Sequence, residues 1–201
     1  MGIILSLAIF FSAVIIHEYS HAFIANKLGD PTAKNRGRLT LNPIAHIDPF
    51  GTVLLPLFLI AMRSPVLFGW AKPVPISFSN LKNPKRDMIW VGMAGPAANF
   101  IFAFLASILL KTGIFSNSLA ISLIQSLIII NVVLSVFNLI PLPPLDGSRV
   151  LMGLLPMPFA ANYARLEPYG FIILFALLYM GIFDKVIWPI ATMIINLFFS
   201  I

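Results

Sequence analysis

Residues 88 to 110 and 118 to 140 contain no charged side chain. About 20 consecutive apolar residues suffice for a helix to cross the hydrocarbon core of a bilayer. Each run is therefore expected to be a transmembrane helix, and that requirement constrains the fold more than any other feature of the chain. Only 10% of the 201 residues are charged, against about 25% in a soluble domain. The net charge of +6 could mark a nucleic-acid binder, but in a membrane chain it reads as basic loops facing the cytoplasm, and no nucleic-acid partner is expected. The absence of cysteine excludes disulfides, thiolate metal sites and a cysteine nucleophile.

The remaining apolar segments are less regular. Residues 2 to 25 read as a first spanning helix rather than a signal peptide, because no basic region precedes the apolar run. Residues 168 to 201 are interrupted by Asp184 and Lys185, which suggests two short tilted spans. Residues 51 to 62 are too short to cross, with Pro56 in the middle and Arg63 closing the run, so a re-entrant or interfacial segment is expected. "GRLTLN" and "PVPISF" alternate apolar and polar residues as short strands do. The expected fold is an all-α polytopic membrane protein with about five transmembrane helices and a re-entrant or short β segment on the cytoplasmic side. Residues 1–201 form one membrane-embedded domain in this reading. Eleven of the 13 basic residues fall in two loops, nine between the first helix and residue 88 and two, Arg149 and Arg165, between residues 140 and 168, leaving Lys111 and Lys185 for the other side. Both regions share the cytoplasmic face if 51 to 62 does not cross, and the N-terminus is then outside.

Within the first helix lies His17-Glu18-Tyr19-Ser20-His21. Histidines four apart share a helix face and can hold one metal ion, while the adjoining glutamate can take a proton from metal-bound water. Placed at random, the chain's three histidines and two glutamates would form this pattern roughly once in two thousand such chains. The plain alternative is a polar patch that pairs two helices, but polar and charged groups in lipid are costly and usually mark function. Catalytic zinc generally takes three protein ligands. The candidates for the third are Asp30, His46, Asp48, Asp87, Asp146, Glu167 and Asp184. Asp146 stands out because it follows an apolar helix in "NLIPLPPLDGSRV". The topology that gathers the basic loops also brings it to the same membrane face as the histidines.

HEYSH in the first helix, Asn138 to Gly147 as N-x-x-P-x-x-P-L-D-G, and "AGPAAN" at 94 to 99 together resemble the site-2 protease family of intramembrane zinc metalloproteases. The resemblance covers residues 13 to 150, with Ser148 where the family usually has glycine. It implies one zinc ion per chain on His17, His21 and Asp146, with Glu18 as general base. It also implies hydrolysis of a peptide bond in or near the transmembrane segment of a membrane-protein substrate, in a compact form without a PDZ or CBS domain. Asn138 and Asn99 are candidates for substrate or oxyanion contact, and His46 for contact with substrate or the metal region. The short loops suit a multi-pass protein of a bacterial or archaeal plasma membrane. The rival function is a zinc-binding membrane protein or zinc transporter without hydrolysis. A carrier has no need for an acid beside its ligands, and Glu18 supplies that acid.

Overall fold

The computed structural model describes residues 3–62 and 71–200. Arg63, the residue expected to close the short apolar run, lies outside them. Among the described residues the protein is all-α. Its helices are α1 (Ile3–Lys27), α2 (Thr32–Asn35), α3 (Leu55–Ala61), α4 (Pro84–Lys111), α5 (Ser118–Asn138), α6 (Asp146–Leu154), α7 (Met157–Ala164), α8 (Gly170–Tyr179) and α9 (Trp188–Ser200).

Among the described residues, four helical segments are long and apolar enough to span a membrane: Leu5–Lys27, Pro84–Lys111, Ser118–Asn138 and Phe183–Ser200. The sequence led to an expectation of about five. The difference arises between 168 and 201, where the chain does break into two pieces. The break falls at Gly181, whose φ is +81°, and not at Asp184 and Lys185. Those two residues continue as a π-helical turn, Phe183–Ile187, that leads into α9. A glycine adopts this left-handed conformation without the Cβ clash that penalises other residues. It leaves α8 with ten residues, about 15 Å of helix at 1.5 Å per residue, roughly half a bilayer core.

Two hydrogen bonds set α1 antiparallel to α4. His21 Nδ1 donates to the Val91 carbonyl at 2.7 Å, and eight residues back along α1, Asn99 Nδ2 donates to the Ala13 carbonyl at 3.3 Å. Helix α5 returns along α4, with Ser135 Oγ donating to the Pro96 carbonyl at 2.9 Å. Further along, Ala103 and Ala106 of α4 pack with Ile128 and Val132 of α5 and with Ala191 and Ile195 of α9. Small residues let helices approach closely in lipid, where packing replaces the hydrophobic drive. Because α1 and α4 run in opposite directions, Lys27 and Pro84 lie at one end of the bundle. Residues 28 to 83 therefore leave from and return to the same end. The apolar helical stretch Pro49–Ala61 is too short to count as a span, in keeping with the expected non-crossing segment.

The expected short β segment is not found among the described residues. Residues 37–42 and 73–77 have no strand assignment. In the second stretch Pro73 and Pro75 lack the N–H groups a ladder needs, and side chains take up the remaining backbone groups. Arg38 Nη2 donates to the Lys72 carbonyl at 2.6 Å, and Ser77 N–H donates to Asp30 Oδ2 at 2.7 Å. The segment is an extended strap laid across the end of α1.

Asp30 anchors this strap. It is fully buried and accepts from Thr32 N–H at 3.1 Å, the Thr32 hydroxyl, Ser77 N–H, and Asn80 Nδ2 at 3.1 Å. Burial works against ionisation, but the Thr32 hydroxyl, Ser77, Asn80 and Thr32 N–H donors outweigh it and hold the carboxyl below its ordinary value. A carboxylate whose pKa falls on folding stabilises the fold above its unfolded pKa of about 3.9, and that contribution fades as pH drops through the lower folded value. We expect Asp30→Asn to destabilise the protein at pH 7 by about 1–3 kcal/mol, as loss of a buried charged acceptor does. The gap from wild type should narrow as pH falls below about 4. Denaturant unfolding in detergent at pH 7 and pH 3.5 checks this, and a gap that widens toward acid would contradict it.

Candidate metal centre

The apolar run that makes α1 a spanning helix also carries His17 and His21 on one face. Their rings lie edge to face with centroids 4.7 Å apart, and both are nearly buried, at 5% and 6% exposure. The third member arrives from the other end of the chain. Helix α5 ends at Asn138, the prolines at 141, 143 and 144 prevent its continuation, and the chain turns back into α6, whose first residue is Asp146. Gly147 makes the turn feasible. A Cβ there would sit 2.2 Å from the Leu139 carbonyl oxygen and 2.5 Å from that of Ile140.

Asp146 Oδ2 lies 2.9 Å from His17 Nε2 and 3.2 Å from His21 Nε2, and the two Nε2 atoms are 3.1 Å apart. Ligand atoms on a tetrahedral zinc at about 2.0–2.1 Å are separated by about 3.3 Å, so the triangle fits that ion. Protonation points the same way. A carbonyl can only accept, so the bond to Val91 places the hydrogen of His21 on Nδ1. In the neutral ring Nε2 then presents its lone pair to the triangle, the orienting arrangement typical of metal-bound histidine. Three electron-rich atoms facing one another make a group that could hold a cation.

Among the described residues, His17, His21 and Asp146 are the group of three with metal-ligand spacing. The other candidates for third ligand are engaged elsewhere. Asp48 accepts from the Phe50 and Gly51 N–H groups, Asp87 accepts from Asn83 N–H, Glu167 pairs with Arg149, and Asp184 sits in the turn before α9. His46 is fully buried. Its Nε2 donates to the Thr40 carbonyl at 2.8 Å, and its own carbonyl accepts from Lys72 N–H at 3.0 Å.

A cavity of about 310 Å³ opens beside the triangle, with His17, Glu18, Asn138, Asp146 and Arg149 among its lining residues. Asn138 thus faces the site, its Nδ2 donating to Leu134 of its own helix at 2.9 Å. Asn99 does not line the cavity. It is buried against α1 at the level of Ala13, one turn deeper than His17. Glu18 accepts the Val74 N–H at 2.7 Å through Oε2.

Two neighbours of the site were not singled out for it from sequence. Gly95 enters the sequence reading only as part of "AGPAAN", yet a Cβ there would fall 2.4 Å from His21 Nε2 and 2.6 Å from His17 Nε2. Val74 was read as part of a strand. Its signal was Pro-Val-Pro, three residues with a single N–H.

Peptidase family M50 matches by its sequence profile over residues 110–181. "Putative zinc metalloprotease YwhC" of Bacillus subtilis is 42% identical over 183 residues, 87% of this chain and 80% of its own length. "Putative zinc metalloprotease Rip2" of Mycolicibacterium smegmatis is 33% identical, covering 87% of this chain and 66% of its own length. "Zinc metalloprotease MJ0392" of Methanocaldococcus jannaschii is 28% identical, over 72% of this chain and 32% of its own length. No solved structure matches the chain. A profile match and a relative 42% identical over most of both chains show that the chain belongs to peptidase family M50, the site-2 proteases, which are intramembrane zinc metalloproteases.

Proposed function

We propose that residues 1–201 form one catalytic membrane domain in which His17, His21 and Asp146 hold zinc and Glu18 is the general base. The reaction assigned to it is hydrolysis of a peptide bond in or beside a transmembrane segment of a membrane protein. The observation that carries this reading is the ligand triangle, with edges of 2.9–3.2 Å, built next to a glutamate at the wall of a cavity. Zinc bound there supplies Lewis-acid activation of water and of the scissile carbonyl. Glu18 accepts a proton from the attacking water on a carboxylate oxygen and returns it to the leaving amine nitrogen. Asn138, at the cavity wall, is assigned to contact with the substrate backbone. Asn99 and His46, bound to backbone carbonyls away from the cavity, are assigned to holding helices and loop in place. The end of the bundle that bears Lys27, Lys85 and Arg149 faces the cytoplasm of a bacterial or archaeal plasma membrane by its basic charge. Pro49–Ala61 enters and leaves on that side.

The test is cleavage of a tagged single-span substrate by the chain reconstituted in liposomes, with the cut mapped by mass spectrometry. We expect a cut within or adjoining the span, loss of cleavage on chelation, and recovery on adding zinc. Undiminished cleavage by metal-stripped protein, or cuts confined to soluble loops far from the span, would refute the proposal.

A further inference from the structure

We propose that the backbone N–H of Val74 is a positioning group for Glu18, and that the strap of residues 72–77 is fixed on both sides of Val74 to aim it. The inference rests on the reading of Glu18 as general base. Between Lys72 and Ile76 the chain has one N–H, because Pro73 and Pro75 have none. That N–H donates to Glu18 Oε2 at 2.7 Å. On one side Lys72 is held twice, its carbonyl by Arg38 Nη2 at 2.6 Å and its N–H by the His46 carbonyl at 3.0 Å. On the other side Ser77 N–H is held by the buried Asp30 at 2.7 Å. Arg38, His46 and Asp30 are each buried, so the strap has firm anchors although it has no ladder.

A glutamate side chain turns about three bonds, and a base must meet its proton at hydrogen-bond distance. Fixing Oε2 to the strap leaves Oε1 as the oxygen that takes part in proton transfer. Bonds between a carboxylate and a backbone N–H are charge-assisted and short, which suits an aiming device. The flanking prolines stiffen the strap and remove any competing donor beside Glu18.

The substitution that tests this is Val74→Pro, which deletes the N–H in a segment already extended between prolines. We expect zinc content and KM to be retained and kcat to fall by ~10²-fold, the scale of a misplaced catalytic group. Val74→Ala keeps the N–H and should turn over at least about tenfold faster than Val74→Pro, by the same argument from placement. An independent readout is the Val74 amide proton in ¹⁵N-valine-labelled, zinc-loaded protein in detergent, which should move upfield in Glu18→Ala. Equal turnover in the proline and alanine variants, or an amide resonance that ignores Glu18→Ala, overturns the inference. Should Val74→Pro fail to fold, the amide resonance decides alone. Failure of the underlying reading looks different, because Glu18→Gln would then stay active.

Discussion

Glu18→Gln is expected to keep its zinc and lose its proteolysis. The substitution leaves His17, His21 and Asp146 in place, and a glutamine oxygen can still accept the Val74 N–H that Glu18 takes at 2.7 Å. What disappears is a group able to hold a proton between water and the leaving amine. General base catalysis contributes about 10²–10⁴-fold, so kcat should fall by that factor with KM little changed. Zinc per chain, measured by atomic emission on detergent-purified protein, should match wild type. His17→Ala and Asp146→Asn serve as the contrast, losing both metal and activity. If Glu18→Gln loses zinc as they do, the glutamate belongs to the ligand set. If it stays active, the proton moves through another group.

The second large effect is expected from one methyl group. Gly95→Ala would place its Cβ 2.4 Å from His21 Nε2 and 2.6 Å from His17 Nε2, the atoms that form two corners of the triangle. Real contacts do not come so close, so the two imidazoles must give way or α4 must withdraw from α1. The bond from His21 to the Val91 carbonyl is then stretched as well, and ligand orientation goes with it. Disturbing such an orienting bond alone typically costs 10–100-fold in metal affinity, and direct displacement of both imidazoles should cost at least that. Alanine is better than glycine in a helix interior by about 1 kcal/mol, which offsets part of the overpacking cost. Competition with a zinc-binding dye, paired with thermal unfolding of the metal-free protein, separates the two effects. Metal affinity should fall by at least about tenfold, while the overpacking cost to the metal-free fold should stay within about 1–3 kcal/mol.

Much of the site was legible because its parts are local patterns. The four-residue spacing of His17 and His21 is a property of any helix, and the apolar run around them requires one. Asp146 required a longer argument, that one crossing out and one back bring residue 146 to the face where α1 ends, and its side chain does meet both imidazoles. The break between α8 and α9 was misplaced because charged residues were weighed above Gly181, whose positive φ has no signature besides the residue type. The strap was misread for a related reason. Alternation of apolar and polar residues in "PVPISF" matches a strand, but what a strap bonds to depends on side chains far away in sequence, here Arg38, Asp30 and Glu18. Gly95 shows the same limit from the other direction. Its sequence context speaks of close helix packing, and only three dimensions reveal that the close neighbour is a pair of imidazoles.

The 129-residue separation between His17 and Asp146 carries a consequence for biogenesis. At about 5–20 residues per second, a ribosome needs roughly 6 to 26 seconds to pass from one to the other. Throughout that interval the first helix waits in the bilayer with two corners of the triangle and Glu18 but no third corner. Two further spans, α4 and α5, must insert before the aspartate can arrive. A triangle divided in this way stays open while the chain is being made, and it closes only once the helices that hold its corners together are in place.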